Sequence, residues 1–312
     1  FSSPLAVGMS GNFRQMKRRI LNIAVFRKET LYQKMRALII YLVISAVFIG
    51  CTPILSIDAS TQSVYHFSDT DKNISLLDIS ETFGTYDGSF VLYDNNLDSW
   101  KIYDLEEATK RIPPESTYKI YDALLGLESG IITPEHSSMT WNGDAFPFPS
   151  WEADQDLNSA MQNSVNWYFQ AIDSQLGINR VQEFLNKIEY GNQTTSSNLD
   201  LYWSDFSLKI SPLEQVTLLK KFNTNEFHLN FQNVFSVKNA IKIASTPNGN
   251  FYGKTGTGRV NGQDINGWFI GYVETSDNSY YFATNIQSDS NATGKKAFEI
   301  TSDILKKLHI WN

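Results

Sequence analysis

Pro113-Pro-Glu-Ser-Thr-Tyr-Lys119 is the stretch that decides the fold. Ser116 stands three residues before Lys119, after two prolines and before a helical pattern that places Ile120, Leu124 and Leu127 on one stripe. Residues i and i+3 share a face of a helical turn, so the lysine amine can lie beside the serine oxygen. Because an uncharged lysine can act as general base, the pattern predicts Ser116 as nucleophile. The alternative is an N-terminal serine followed by a surface lysine.

Gly253-Lys-Thr-Gly-Thr-Gly258 is a second motif, and it lies on a strand pattern. Small residues along a strand let a ligand backbone approach closely, and unpaired strand amides can bind it as an added strand. Lys254 supplies a cation, while Thr255 and Thr257 supply hydroxyl donors suited to a carboxylate. It is not a phosphate loop, because no glycine-rich run precedes the lysine. A glycine-rich edge strand without a ligand is the alternative.

The elements around these motifs predict an α+β fold. Short strand patterns occupy both ends of the body, at 88–93, 100–103, 251–255, 266–274 and 280–284. The segment between them, about 113–245, is mainly helical in pattern, with helices expected at 118–127, 156–176, 179–189 and 211–222. An amphipathic helix follows at 297–308. We therefore expect a helical insertion in an antiparallel sheet.

Charge is distributed unevenly along the 312 residues. The net charge of -7 conceals a basic segment, residues 1–36, with eight Lys or Arg and one Glu, while the other 276 residues carry 18 basic and 32 acidic side chains. Between these parts, residues 37–57 run for twenty-one residues without a formal charge. That run is long enough to cross a hydrocarbon core of about 30 Å. The sequence predicts a transmembrane helix with the basic side cytoplasmic and the acidic body extracellular.

The predicted organisation is therefore a cytoplasmic segment, 1–36, a transmembrane helix, 37–57, a linker, 58–78, and an extracellular domain, 79–312. A buried core helix and a cleaved lipoprotein signal, with Phe48-Ile-Gly-Cys51 as its processing site, are the alternatives for the apolar run. Next to a spanning helix, the basic segment is expected to attract anionic membrane lipid. No nucleic-acid-binding motif is visible, and the four His residues lack partners at metal-ligand spacing.

Three further elements gain meaning from their order. Ser164-Val-Asn166 follows the Ser-x-x-Lys motif, Tyr190-Gly-Asn192 comes next, and Trp203 precedes the Lys-Thr-Gly strand. This series resembles the penicillin-recognising serine acyltransferases, and Tyr190-Gly-Asn192 with Trp203 is similar to the class D serine β-lactamase branch. The resemblance covers about residues 80–310. It implies a five-stranded antiparallel sheet packed against a helical domain, with the site between them.

The resemblance also implies a role for each motif residue. Ser116 would be acylated by a β-lactam, and Lys119 would be the general base. In this branch that lysine is usually N-carboxylated by CO2. No other cofactor is implied. Ser164 would relay a proton to the leaving nitrogen, and Trp203 would hold the modified lysine. The amides of Ser116 and Thr257 would form the oxyanion hole. The implied substrate-binding residues are Lys254, Thr255, Gly256, Thr257, Asn166 and Tyr190.

Two departures separate this chain from class D hydrolases. Hydrolases generally have an apolar residue where this chain has Asn166, whose amide oxygen can hydrogen-bond the lysine amine and favour the uncarboxylated form. Hydrolases also commonly provide an arginine on or after the final strand, and residues 287–294 contain none. Because of these departures, together with the basic segment and the apolar run, the chain resembles the BlaR/MecR-type signal transducers, and its C-terminal part resembles their penicillin-sensor domain.

That resemblance implies a membrane receptor that β-lactams acylate and that signals inward to induce resistance genes. It also implies a zinc metalloprotease domain upstream in the same chain. Two alternatives stay open. One is an anchored class D β-lactamase that turns over, and the other is a transpeptidase-like or non-catalytic cell-wall-binding module.

Overall fold

A mixed sheet of seven strands organises the protein. The computed structural model describes residues 63–68 and 72–312. The strands, in chain order, are β1 (Asn73–Leu76), β2 (Asp87–Asp94), β3 (Ser99–Tyr103), β4 (Lys242–Thr246), β5 (Gly249–Val260), β6 (Gln263–Thr275) and β7 (Ser279–Gln287). Their order across the sheet is β1-β3-β2-β7-β6-β5-β4. Strands β1 and β3 run parallel, and every other neighbouring pair is antiparallel.

Helices cover both faces of this sheet. They are α1 (Ser80–Phe83), α2 (Leu105–Thr109), α3 (Lys119–Glu128), α4 (Leu157–Gln162), α5 (Asn166–Leu176), α6 (Ile178–Ile188), α7 (Pro212–Asn223), α8 (Phe231–Ala240) and α9 (Gly294–Lys307). Two short 3₁₀ helices, Glu115–Tyr118 and Pro149–Trp151, complete the regular structure of the described residues. Helices α1 and α9 pack on one face, and the remaining helices contribute to the core on the other.

The period-two alternation of the central strands explains why both faces are covered. Phe269 and Val273 of β6 face α9, while Trp268, Ile270 and Tyr272 face the helical core. Strands that are buried on both faces bring apolar side chains to two separate cores. The sheet therefore holds the two helical layers at fixed positions, with α3 on the inner face beside β5.

The predicted α+β fold is confirmed in its class, but the predicted five-stranded antiparallel sheet is wrong. Strand β1 adds a parallel edge next to β3, and β4 adds an antiparallel edge next to β5. Both edge strands are short and mostly exposed, so they carry no alternation of apolar and polar residues. The helix expected over 156–176 is also divided, because the chain breaks between α4 and α5.

The predicted cytoplasmic segment and transmembrane helix lie outside the described residues. Within residues 63–68 and 72–312, no helix is both long enough and apolar enough to cross a membrane. Part of the stretch expected to be a linker is ordered. The backbone of Tyr65 donates to the carbonyl of Thr109, the backbone of Arg111 donates to that of Ser63, and β1 falls in the same stretch.

Candidate active site

The nucleophile motif forms a tight turn on the inner face of the sheet. Residues Glu115–Tyr118 make the 3₁₀ helix that leads directly into α3, which begins at Lys119. Side chains at i and i+3 eclipse one another in a 3₁₀ turn, so the lysine lies directly beside the serine. Nζ of Lys119 is 2.7 Å from Oγ of Ser116. The hydrogen-bonded pair expected from the spacing is therefore present.

Lys119 occupies an environment that disfavours its charge. Its side chain is buried, and its Nζ lies 5.7 Å from the ring centroid of Phe169 and 5.8 Å from that of Trp203. Burial lowers the pKa of Lys119 to about 7, against the opposing influence of Asp122 and Glu115, which favour the charged form. A large share of Lys119 is therefore uncharged near neutral pH and can accept a proton from Ser116.

The break between α4 and α5 places one further polar group beside this lysine. Ser164 has a φ of 56° in the left-handed region, an uncommon conformation for a residue with a side chain. The chain reverses there, and α5 begins at Asn166. Oδ1 of Asn166 accepts a hydrogen bond from Nζ of Lys119 at 2.7 Å. Lys119 is therefore held between a serine hydroxyl and an amide oxygen.

Lys254 forms a second lysine–serine pair in the site. Its Nζ donates to Oγ of Ser164 at 2.9 Å and to the carbonyl of Thr255 at 3.0 Å. The side chain is buried, and burial, reinforced by the charge of Lys119, holds the pKa of Lys254 well below its ordinary value. Ser164 lines the same cavity as Ser116, so Lys254 is linked to that cavity through the Ser164 hydroxyl.

Strand β5 approaches the nucleophile turn closely. A Cβ built on Gly256 would lie 3.1 Å from the carbonyl oxygen of Pro114 and 3.2 Å from the amide nitrogen of Ser116. The absence of a side chain is therefore what allows the strand to pass so near. Strand β4 pairs with β5 only as far as Tyr252, and the Gly253 amide donates to the carbonyl of Ile241. Beyond these contacts, Thr255, Gly256 and Thr257 line the site.

A cavity of about 340 Å³ opens where these elements meet. Six of the predicted site residues line it: Ser116, Ser164, Asn166, Thr255, Gly256 and Thr257. Residues that the sequence did not single out complete the lining: Phe148, Ser150, Trp151, Asn163, Arg259 and Asp264. The cavity is large enough for a small organic ligand and has a nucleophile at its wall.

Two predicted substrate-binding residues, Tyr190 and Lys254, do not line the cavity. Lys254 reaches it only through its hydrogen bond to Ser164, and Tyr190 lies in the core. Tyr190 is fully buried, with its ring centroid 5.2 Å from that of Tyr118 and 5.1 Å from that of Tyr121. Trp203 also lies in the core, where its carbonyl accepts a hydrogen bond from the backbone of Glu115. Both aromatic rings therefore support the nucleophile turn from behind.

Several buried carboxyl groups lie around the nucleophile turn, and the sequence did not predict them as part of the site. Glu115 is buried beside Gly258 and accepts a hydrogen bond from Nδ2 of Asn266 at 3.3 Å, and burial raises the pKa of Glu115 to about 8. Asp122 and Asp173 form a buried pair, and burial raises the pKa of both carboxyls well above their usual range. Nothing in the sequence marks these residues as buried. In the described part of the chain, no group of His, Cys, Asp and Glu could hold a metal ion.

Fold and site together define the class. The chain belongs to the family of penicillin binding protein transpeptidase domains, whose model matches residues 88–306. Within that class, the resemblance to the BlaR/MecR-type transducers is confirmed. The chain is 43% identical over 314 residues to the Regulatory protein BlaR1 of Bacillus licheniformis, covering 99% of this chain and 52% of that protein.

Other relatives extend the comparison. The Methicillin resistance mecR1 protein of Staphylococcus aureus is 37% identical over 295 residues, which is 95% of this chain and 50% of the relative. The chain thus spans about half the length of these curated relatives.

Solved structures give the same picture. The C-terminal domain of the Bacillus licheniformis BlaR penicillin-receptor matches with a TM-score of 0.75 at 45% identity, covering 78% of this chain and 99% of that structure. The Class D beta-lactamase BAT-2 matches with a TM-score of 0.71 at 36% identity, covering 76% of this chain and 97% of that structure.

Proposed function

We propose that this protein is a membrane-anchored β-lactam receptor in which Ser116 is acylated to a long-lived adduct. The observation that carries the proposal is the position of Lys119. Its Nζ lies 2.7 Å from the Ser116 hydroxyl, which it can deprotonate, and 2.7 Å from the Asn166 amide oxygen, which stabilises the ammonium that results. The first contact supports acylation, and the second opposes the lysine chemistry that later deacylation would require.

Acylation follows from the groups at the cavity wall. Uncharged Lys119 takes the proton of the Ser116 hydroxyl. At the same time, Oγ of Ser116 attacks the β-lactam carbonyl carbon and forms a C–O bond. The negative charge that develops on the carbonyl oxygen is stabilised by the amides of Ser116 and Thr257, which we assign as the oxyanion hole. The close approach of Gly256 to the Ser116 amide supports this assignment.

Collapse of the tetrahedral intermediate breaks the C–N bond of the lactam ring. The leaving nitrogen needs a proton, and Ser164 is placed to deliver one. Its hydroxyl faces the cavity and lies 2.9 Å from Nζ of Lys254, which can replace the proton that Ser164 gives up. The ring-opened product stays attached to Ser116 as an ester.

A long adduct lifetime follows from the surroundings of Lys119. A carbamate formed from CO2 on this lysine would supply a base that activates water for hydrolysis of the ester. The aromatic rings of Phe169 and Trp203 suit such a group, because they disfavour the competing ammonium. Asn166 does not suit it, because its amide oxygen bonds the amine itself. We infer that Lys119 stays unmodified after acylation and leaves the ester intact.

The membrane and signalling parts of the proposal rest on the sequence and on the relatives. The uncharged run at 37–57 supports a transmembrane anchor, and the basic residues before it support attraction to anionic lipid on the cytoplasmic side. The relatives' printed names, a regulatory protein and a methicillin resistance protein, support a role in inducing resistance genes. Since those relatives are about twice as long, an upstream zinc metalloprotease domain remains part of the proposal.

A class D β-lactamase is the second candidate, and one observation favours it. The Probable beta-lactamase YbxI of Bacillus subtilis is 37% identical over 235 residues, which is 75% of this chain and 86% of that protein. The same Ser116 ester would form, but water would then release it.

Mass spectrometry of the chain with excess benzylpenicillin distinguishes the two candidates. The receptor proposal predicts one added penicillin per chain, found on the peptide that contains Ser116 and persisting for hours. The variant Ser116→Ala should show no adduct. Rapid return to the free mass while penicillin is consumed would favour the β-lactamase instead.

A further inference from the structure

Glu115, the residue directly before the nucleophile, is held in an unusual conformation. Its φ of 52° lies in the left-handed region, and only 6% of its surface is exposed. Its amide donates to the carbonyl of Trp203 at 3.1 Å. A residue with a side chain persists in this conformation where the surrounding contacts hold it there. The contacts that Glu115 makes therefore bear directly on the position of Ser116.

Strand β5 packs against the Glu115 side chain through two glycines. A Cβ built on Gly256 would lie 3.1 Å from Cβ of Glu115, and a Cβ built on Gly258 would lie 2.9 Å from Cδ of the carboxyl group. Residues two apart on a strand face the same side, so the Glu115 side chain lies along this face of β5. Thr257, whose amide we assign to the oxyanion hole, stands between the two glycines. Glu115 therefore separates the nucleophile turn from the strand that completes the hole.

Asn266 on β6 joins this carboxyl group to the turn and to the sheet. Its Nδ2 donates to Oε1 of Glu115 at 3.3 Å and to the carbonyl of Pro113 at 3.1 Å. Its Oδ1 accepts a hydrogen bond from Nδ2 of Asn285 on β7 at 2.9 Å. An amide donor suits the carbonyl oxygen of an uncharged acid, and it brings no positive charge to offset a carboxylate.

Few charged groups surround Glu115. Burial raises its pKa to about 8, against the Asn266 hydrogen bond and the charge of Lys119, which both lower it. Glu115 lines a second cavity of about 140 Å³, where Arg259 of β5 is the one other charged residue of the lining. The Arg259 guanidinium is already paired with Asp264. Glu115 is therefore mostly an uncharged acid at neutral pH.

We propose that Glu115 is a positioning residue for acylation, which as an uncharged acid holds β5 against the nucleophile turn without placing a negative charge beside the oxyanion hole. This inference rests on the proposed function. Glu115 does not line the active-site cavity, so it acts through the turn and the strand rather than by touching the drug. The bonds of one residue join its carboxyl group to the Ser116 amide. An oxyanion that accepts from that amide therefore lies within about 9 Å of the carboxyl group.

Loss of the Glu115 proton should slow acylation. A negative charge within about 9 Å of the oxyanion should lower the acylation rate constant by about tenfold, with the screening typical of protein sites. The effect falls on this rate constant because the oxyanion forms only as the reaction proceeds. Since Lys119 must lose its proton near pH 7, the rate constant should reach a maximum near pH 7.5 and fall about threefold by pH 9.

The test measures acylation of the full chain by saturating benzylpenicillin between pH 6 and 9. The drug remains an anion over this whole range, so a change in rate reports the protein. Glu115→Gln keeps the shape of the side chain and an oxygen for Asn266 but cannot ionise. Its rate constant should rise through about pH 7 and then stay level to pH 9. Glu115→Ala, which removes the contact with Gly258, should lower the rate constant at every pH.

Glu183→Gln is the matched control. Glu183 is exposed on α6 and lines neither cavity, so this variant reports the effect of losing one carboxylate elsewhere on the protein. It should keep the fall between pH 7.5 and 9. The amount of adduct, which reports the folded fraction, should stay at one per chain in the unaltered protein, Glu115→Gln and Glu183→Gln.

The outcomes separate this inference from the function on which it rests. If the unaltered chain forms no adduct at any pH, the proposed function is refuted, and the role of Glu115 falls with it. If the unaltered chain is acylated but its rate constant does not fall above pH 7.5, the role of Glu115 alone is refuted. The same fall in Glu115→Gln and Glu183→Gln, or a loss of adduct at an unchanged rate constant, also refutes that role.

Discussion

Replacing Asn166 by valine should weaken the hold on the Lys119 ammonium and shorten the life of the acyl adduct. The substitution removes the 2.7 Å hydrogen bond between the lysine amine and the amide oxygen. A hydrogen bond to a charged group is worth about 1.5–3 kcal/mol, and one pKa unit corresponds to about 1.4 kcal/mol. Since Lys119 begins with a pKa of about 7, the variant's pKa should fall by about one to two units.

The size of the effect depends on pH. At pH 6, a lysine with a pKa near 7 is uncharged in about one molecule in ten, whereas a pKa near 5.5 makes about three quarters uncharged. Carboxylation requires the uncharged amine, so the modified fraction and the deacylation rate should both rise about five- to tenfold at that pH. Above pH 8 both proteins are mostly uncharged, and the gain from titration alone should fall below about twofold.

Two readouts follow the change. Adduct mass over time gives the deacylation rate, and ¹³C NMR with labelled bicarbonate reports the lysine carbamate directly. Asn163→Val is the matched control, because Asn163 lines the same cavity, is exposed, and is not a partner of Lys119. If the Asn166→Val adduct lasts as long as that of the unaltered protein at pH 6, the explanation of adduct lifetime is wrong.

Three further predictions concern the base, a buried ion pair and a buried acid. Acylation by excess benzylpenicillin should speed up as pH rises through about 7, because Lys119 must lose its proton to act as base, and a profile flat from pH 5.5 to 8.5 would refute that role. Arg111→Gln should lower the free energy of unfolding in urea by about 2–4 kcal/mol, because the largely buried carboxylate of Glu214 loses its bidentate partner. Lys110→Gln, which removes a partly exposed pair, should cost less than about 1 kcal/mol, and equal losses would contradict the account. Burial raises the pKa of Glu115 to about 8, so the protein should lose stability as pH rises from about 4.5 to 8. Thermal unfolding across this pH range should show a smaller loss for Glu115→Gln. The same pH dependence of the melting temperature in both proteins would contradict this prediction.

Local sequence patterns predicted most of the elements that carry the site. The helix expected over 118–127 is α3, and the proline pair before it marks the 3₁₀ turn that precedes Lys119. Nearly continuous apolar runs located β6 and β7, because both faces of those strands are buried. These predictions succeeded because the signals depend on neighbours within one turn or one strand.

Long-range contacts account for what could not be predicted. Glu115 lies beside Gly258 only because β5 folds back onto the nucleophile turn, and a glutamate in a sequence gives no sign of burial. Arg259 lines the cavity directly after a register shift in the pairing of β5 with β6, and no local pattern marks that shift. Tyr190 begins the Tyr190-Gly-Asn192 motif, yet its ring packs into the core, and the motif alone could not show which way the side chain points.

The number of penicillin molecules consumed per protein tests the central claim most directly. The 312-residue chain at pH 7 is mixed with a tenfold molar excess of benzylpenicillin, and the intact drug is measured over several hours beside the protein mass. A receptor acylated at Ser116 should consume one equivalent and then stop, with the whole protein population carrying the adduct. Consumption of all ten equivalents, with the protein returning to its free mass, would contradict the account.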